Sequence, residues 1–146
     1  MVAAASAAAV PAASAQSWRE AQLQAAGAAG EPASWAAGIG FSWRDRGRSR
    51  IGAAIGSGAD ENGAAMARSE VAWHFLLDPG RRSGSALYGG AGVAVQSPER
   101  GRSRAWFMLI LGLEWNPAGS RGLFIEGGAA GGVRVAAGLR FRHRNS

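Results

Sequence analysis

Residues 105–115 read AWFMLILGLEW, the most apolar run in a chain of 146 residues. As a helix the run is too short to cross a bilayer, which takes about 20 apolar residues. As a strand it matches the roughly 9–11 residues of a tilted transmembrane strand. Alternate side chains of a strand point to opposite faces. Ala105, Phe107, Leu109, Leu111, Leu113 and Trp115 therefore line one face, and it is wholly apolar. Trp106, Met108, Ile110, Gly112, Glu114 and Asn116 line the other, which carries a glycine, a carboxylate and an amide.

The same asymmetry recurs along the chain, with turn residues between the segments. Residues 18–26 alternate weakly, Ala21, Leu23 and Ala25 against Glu20, Gln22 and Gln24. Residues 35–44 alternate strongly: Trp35, Ala37, Ile39, Phe41 and Trp43 oppose Ala36, Gly38, Gly40, Ser42 and Arg44. Residues 50–58 set Ile51, Ala53 and Ile55 against Gly52, Ala54 and Gly56, and 65–77 set Val71, Trp73, Phe75 and Leu77 against Arg68, Glu70, Ala72 and His74. Residues 86–96 form the fifth segment and 105–115 the sixth. Residues 121–129 form the seventh, with Leu123 and Ile125 against Phe124, Glu126 and Gly128. In 132–142, Val133, Val135, Ala137, Leu139 and Phe141 oppose Arg134, Ala136, Gly138, Arg140 and Arg142. Asp78, Pro79 and Gly80 spell a turn in which proline presets φ and glycine supplies a positive one. Eight segments joined by short connections suit antiparallel neighbours. No connection is long enough for a parallel crossover.

Composition sets the bounds. The length is one domain's worth. The 23 glycines would each weaken a helix interior by about 1 kcal/mol, but small residues help strands bend and pack inside a barrel. The net charge of +6 comes from 16 arginines against 10 acids, with no lysine. The absence of cysteine excludes disulfides and thiolate metal sites. Residues 1–15 are a separate, alanine-rich stretch ending Ala13, Ser14, Ala15, which fits the small-residue cleavage pattern of a secretory signal peptide, although no basic segment precedes it. The barrel domain is assigned to residues 16–146.

Which face points inward follows from volume. The lumen of an eight-stranded barrel is just wide enough for side chains to fill it, and the bulky apolar face would overpack it. The polar face fits instead, with Glu70, Glu114 and Glu126 paired to Arg68, Arg134 and Arg140, because a buried charge without a partner costs several kcal/mol. The apolar face then meets lipid, and closure removes the sheet edges that lipid cannot satisfy. The expected fold is all-β, a single eight-stranded antiparallel up-and-down transmembrane barrel. If the N-terminus is periplasmic, Phe41, Trp43, Phe75, Trp115 and Phe141 end the even strands at one rim and Trp18 begins the first strand there. This is the pattern of an interfacial aromatic girdle.

This pattern, the signal-like start and the ending GVRVAAGLRF at 132–141 resemble the small eight-stranded outer-membrane β-barrels of the OmpA/OmpX-like group over residues 16–142. The resemblance implies residence in the outer membrane after export, contact with membrane lipid including lipopolysaccharide, and recognition of the C-terminal strand by the barrel-assembly machinery. Members of the group usually end on the aromatic, whereas Arg142, His143, Arg144, Asn145 and Ser146 follow Phe141 here. The connections expected outside the cell, at 27–34, 57–64, 97–103 and 127–131, are short.

The sequence calls for no catalytic residue, metal or cofactor. His74 beside Glu70 is read as a histidine packed in a polar lumen, and the glycine pairs match no phosphate-loop spacing. Arg44, Arg46, Arg48 and Arg50, Arg81 and Arg82, and Arg100, Arg102 and Arg104 are read as solvated turn arginines, the last group within reach of lipid phosphates. Aromatics interleaved for base stacking are missing, which argues against nucleic acid. The leading expectation is a non-enzymatic barrel with a structural, membrane-integrity role and no large pore. The alternatives are a secreted lipocalin-like barrel holding an apolar ligand and, from the resemblance, a lipid A-modifying hydrolase.

Overall fold

Period-two alternation over eight segments leaves each strand with one face to bury, and a sheet closed on itself buries that face without leaving an edge. The computed structural model, which describes residues 18–45 and 48–144, has this form. The strands are β1 (Trp18–Gly30), β2 (Ser34–Arg44), β3 (Ser49–Asp60), β4 (Ala65–Leu76), β5 (Ser85–Pro98), β6 (Arg104–Trp115), β7 (Arg121–Ala129) and β8 (Gly132–Arg144). Each pairs antiparallel with its sequence neighbours, and β1 pairs with β8 to close the barrel. The signal-like leader at 1–15 and Arg46 lie outside the described residues.

The strands run longer than alternation alone marked them. Residues 27–30, expected in a loop, continue β1, with Gly27 opposite Val135 and Gly30 opposite Gly132. Residues 59–60 and 97–98 likewise extend β3 and β5, whereas β7 keeps the bounds 121–129 that alternation marks. These stretches are mostly Gly, Ala and Ser, which carry little alternation signal, and neighbouring strands supply their hydrogen-bond partners. The four connections expected to be extracellular contract to 31–33, 61–64, 99–103 and 130–131. In the last of these Gly131 takes a φ of 72°, a conformation that favours glycine. At the opposite rim β8 continues past Phe141, with Arg142 opposite Glu20 and His143 opposite Arg19.

The two faces are inverted relative to a water-soluble protein. Among the described residues, twenty-three large apolar side chains are exposed on the outside, Phe107, Phe41, Val133 and Leu111 among them. Inside, the buried apolar residues are chiefly alanines, joined by Met66, Leu76, Tyr88, Met108, Ile110 and Phe124. A soluble monomer rarely exposes a contiguous apolar patch beyond a few hundred Å²; here such a surface encircles the molecule.

Glycine makes room for Tyr88. The Tyr88 ring lies across the lumen against Gly112 on β6, where any Cβ would intrude on the ring. Gly112→Val is therefore expected to destabilise the folded barrel by about 1–3 kcal/mol. Gly127→Val on the outer face, where nothing stands within 4 Å, should be tolerated. Urea titrations of refolded protein in detergent, with heat-modifiable gel migration reporting the folded fraction, compare the two. Equal effects would count against the lumenal packing.

Candidate functional site

The lumen holds the chain's chemistry. Glu20, Arg50, Arg68, Glu70, His74, Glu114, Glu126, Arg134, Arg140 and Arg142 are all buried there. Small residues on adjoining strands give the large ones space. Arg134 lies between Ala28 and Gly128, Glu126 between Gly112 and Ala136, and Glu70 between Ala54 and Ala94. The glycine and alanine of the inward face are thus the counterpart of long charged neighbours.

The charges form one unbroken alternating chain. Arg68 Nε donates to Glu70 Oε1 at 2.7 Å, and Arg134 Nη2 donates to Glu70 Oε2 at 2.7 Å. Arg134 Nη1 reaches Glu126 Oε2 at 2.9 Å, and Arg140 Nη2 reaches Glu126 Oε1 at 3.2 Å. Arg140 Nη1 continues to Glu114 Oε2 at 2.8 Å, which also accepts from Arg50 Nη1 at 3.0 Å. Arg50 Nη1 lies 3.3 Å from Glu20 Oε2, and Arg142 Nε lies 3.1 Å from Glu20 Oε1. Arg142 returns to Glu114 through its other nitrogen, closing a loop.

Neutral groups tie into the chain. Tyr88 Oη donates to Glu126 at 2.8 Å and accepts from Arg140 at 3.1 Å. The guanidiniums of Arg50 and Arg140 stand 4.8 and 5.1 Å from the centre of its ring, within cation–π range. Ser42 donates to Glu20. At the mouth beside the chain termini, Arg142 Nη1 donates to the carbonyls of Asn116 and Gly119. At the other mouth Ser34 donates to Gln96, and the half-buried Trp106 stands against Gly131.

Arg68, Glu70, Glu114, Glu126, Arg134 and Arg140, named from the sequence, all stand in this chain of contacts. Glu20, Arg50, Arg142 and Tyr88 were not among those candidates. Arg50, expected as a solvated turn arginine, is instead 1% exposed. Its parity with Gly52 and Ala54 carried the correct signal, and the neighbouring turn arginines masked it. Arg142 shares the parity of Arg134 and Arg140 in the same way.

The aromatics separate by parity too. Phe41, Trp43, Phe75, Trp115 and Phe141 are exposed on the outer face near the strand ends at one rim, and Trp73 joins Phe75 with ring centres 4.7 Å apart. Trp18 differs. It shares the face of Glu20 and Gln22 and is half-buried at the mouth, so its position is lumenal, against the expectation from its level alone.

This interior leaves little space for a bound ligand. The lumen is filled with ion pairs, and the cavity beside Arg50, His74 and Met108 amounts to about 20 Å³, room for one water and far below the roughly 300 Å³ or more of a ligand pocket. An apolar ligand of lipocalin type has no place in it. His74 Nε2 is 3.9 Å from Glu126, and the ring meets Tyr88 edge-on at 5.4 Å. Neither ring nitrogen has a hydrogen-bond partner among the described residues, so no serine–histidine relay is assembled there.

Glu114 contacts Arg50, Arg140 and Arg142, whereas Leu111 projects outward. Glu114→Leu leaves three guanidiniums short of a counter-charge and is expected to cost about 3–5 kcal/mol. Leu111→Ala opens no internal cavity and should cost roughly 1–2 kcal/mol. Denaturant midpoints of the two variants in the same lipid or detergent provide the comparison, and equal losses would contradict the lumenal role of Glu114.

Several solved structures share the fold. The N-terminal β-barrel domain of Pseudomonas aeruginosa OprF superposes with a TM-score of 0.62 at 13% identity, covering 85% of this chain and 97% of that one. Neisserial surface protein A superposes with a TM-score of 0.63 at 12% identity, covering 86% and 96%. Ail, the attachment invasion locus protein of Yersinia pestis, gives 0.51 at 15% identity, covering 88% and 99%. No family model and no curated protein matches the chain. At such identities the likeness is one of architecture: the chain has the fold of the small eight-stranded outer-membrane β-barrels.

Proposed function

We propose that the protein is an integral outer-membrane β-barrel with a structural, membrane-integrity role, without enzymatic activity and without an open pore. One observation carries the reading: a closed ladder whose outer face is apolar around its whole girth and whose lumen is charged. That distribution suits a barrel solvated by hydrocarbon, and burying it in water would leave the apolar belt unsatisfied. The likeness in fold to outer-membrane barrels supports the compartment.

The same residues obstruct a pore. The alternating chain of Arg and Glu crosses the lumen from Arg68 to Arg142 with contacts of about 3 Å, so an ion would have to break several buried pairs to pass. A structural role follows from what the connections leave out. The loops at 31–33, 61–64, 99–103 and 130–131 are too short to build a binding surface of their own. The partners of this reading are membrane lipid, lipopolysaccharide included, and the assembly machinery acting on β8, the strand that closes onto β1.

Expression in a diderm host with fractionation tests the compartment. Recovery in the outer membrane with heat-modifiable migration is expected; recovery in the soluble periplasm without detergent would overturn the reading. In planar bilayers the wild type should be silent. Glu70→Ala with Glu126→Ala, which strips Arg134 of both carboxylate partners, should raise leakage or abolish folding. Steady conductance from the wild type would rule out the closed lumen. For the non-enzymatic part, lipid A mass profiles should be identical with and without the protein, and a modification lost in His74→Ala would contradict it.

A further inference from the structure

The two rims differ in charge. In an up-and-down barrel the chain termini and the connections β2–β3, β4–β5 and β6–β7 share one rim. Among the described residues that rim carries Arg19, Arg44, Arg48, Arg81, Arg82 and Arg121, opposed by Asp45 and Asp78. The other rim carries Glu31, Asp60, Glu61 and Glu99 against Arg100, Arg102 and Arg104, so it is close to balanced. Arg100, Arg102 and Arg104, expected from the sequence to reach lipid phosphates, lie at the rim where acids offset them.

The termini-side arginines are free to act outward. Arg19, Arg48, Arg82 and Arg121 are exposed, and none has a side-chain hydrogen bond or ion pair among the described residues. Arg44 donates to the Pro79 carbonyl, and Arg81 to the Ser85 carbonyl and towards Asp78. Arg19 and Arg121 sit on the outer face of their strands, opposite Trp43 and Phe141 respectively. They are therefore level with the aromatic girdle. Aromatic rings prefer the headgroup level of a bilayer, and an arginine there extends its guanidinium to the phosphates.

We infer that the termini-side rim binds the phosphates of anionic glycerophospholipids. This rests on the membrane-barrel reading above and names the lipid class and the rim. The spacing favours a glycerophospholipid over a multiply phosphorylated lipid. The two guanidiniums on the outer wall, Arg19 on β1 and Arg121 on β7, are separated by β8, two strand spacings or about 10 Å. Each isolated guanidinium matches one phosphate, whereas a headgroup with several phosphates calls for a cluster.

Tryptophan quenching by acyl-brominated lipids tests this, since Trp43, Trp73 and Trp115 lie on the outer face. The barrel is folded into phosphatidylcholine vesicles containing brominated phosphatidylglycerol, brominated phosphatidylcholine or brominated lipid A. Phosphatidylglycerol is expected to associate about fivefold more strongly than phosphatidylcholine, the scale of one arginine at a charged surface, and less so in high salt. The preference should vanish in Arg19→Ser/Arg82→Ser/Arg121→Ser and persist in Arg100→Ser/Arg102→Ser. Equal quenching by the two phospholipids, a preference that survives the triple substitution, or stronger association of lipid A would overturn the inference while leaving the membrane barrel intact. Failure of the wild type to yield a heat-modifiable band in any vesicle would instead overturn the membrane reading on which it stands.

Discussion

Five guanidiniums and four carboxylates share a space barely wide enough for one layer of side chains, and the rest of the molecule answers to that arrangement. Arg68, Glu70, Arg134, Glu126, Arg140, Glu114, Arg50, Glu20 and Arg142 alternate in sign along a continuous path of contacts between 2.7 and 3.3 Å. Each interior carboxylate has at least two guanidinium neighbours. The low dielectric that makes each contact strong also makes a missing one expensive. The network is therefore best understood as a unit, with Tyr88 bridging Glu126 and Arg140 at its centre.

That unit dictates what may stand next to it. Long side chains crossing the lumen need neighbours without bulk, and the inward positions beside them are often Gly or Ala. Dense glycine would be a liability in a helical protein. Here it is the spatial complement of the arginines. With the lumen given over to charge, the large apolar residues are displaced to the outside, where they form an apolar belt around the barrel. Core and surface exchange their usual compositions because the lumen is packed with the chain's own ion pairs.

The ends of the barrel follow different rules from its wall. At the termini-side mouth Arg142 joins the ion network to the β6–β7 turn through the carbonyls of Asn116 and Gly119. The outer residues at this level are aromatic on β2, β4, β6 and β8, with Arg19 and Arg121 opposite Trp43 and Phe141. At the other mouth the outer positions of β3 and β4 become Ala and Ser, and Trp106 with the Ser34–Gln96 contact occupies the entrance. The two rims are thus chemically distinct although the wall between them is nearly uniform.

Strand number, antiparallel order and the choice of face were legible in the sequence, because period-two alternation is a local property that bulky residues such as Trp43, Phe107 and Leu139 announce at each step. The ends of the strands were not. Ala28, Ala29 and Gly58 say little about their own conformation, and only the neighbouring ladder holds them extended. Parity placed Glu114 and Arg134 on the inner face, but it could not say which arginine meets which carboxylate. That pairing depends on the stagger between strands that closure imposes, which brings Glu20 of β1 to Arg50 of β3 and Arg142 of β8. Parity makes Arg50 an interior residue rather than a turn arginine, and it puts Trp18 at the mouth rather than in the girdle. The sequence by itself determined an alternating, eight-stranded chain with one oily face. Tertiary structure alone decided the charge network, because a contact between residues more than a hundred positions apart exists only once the first strand meets the last.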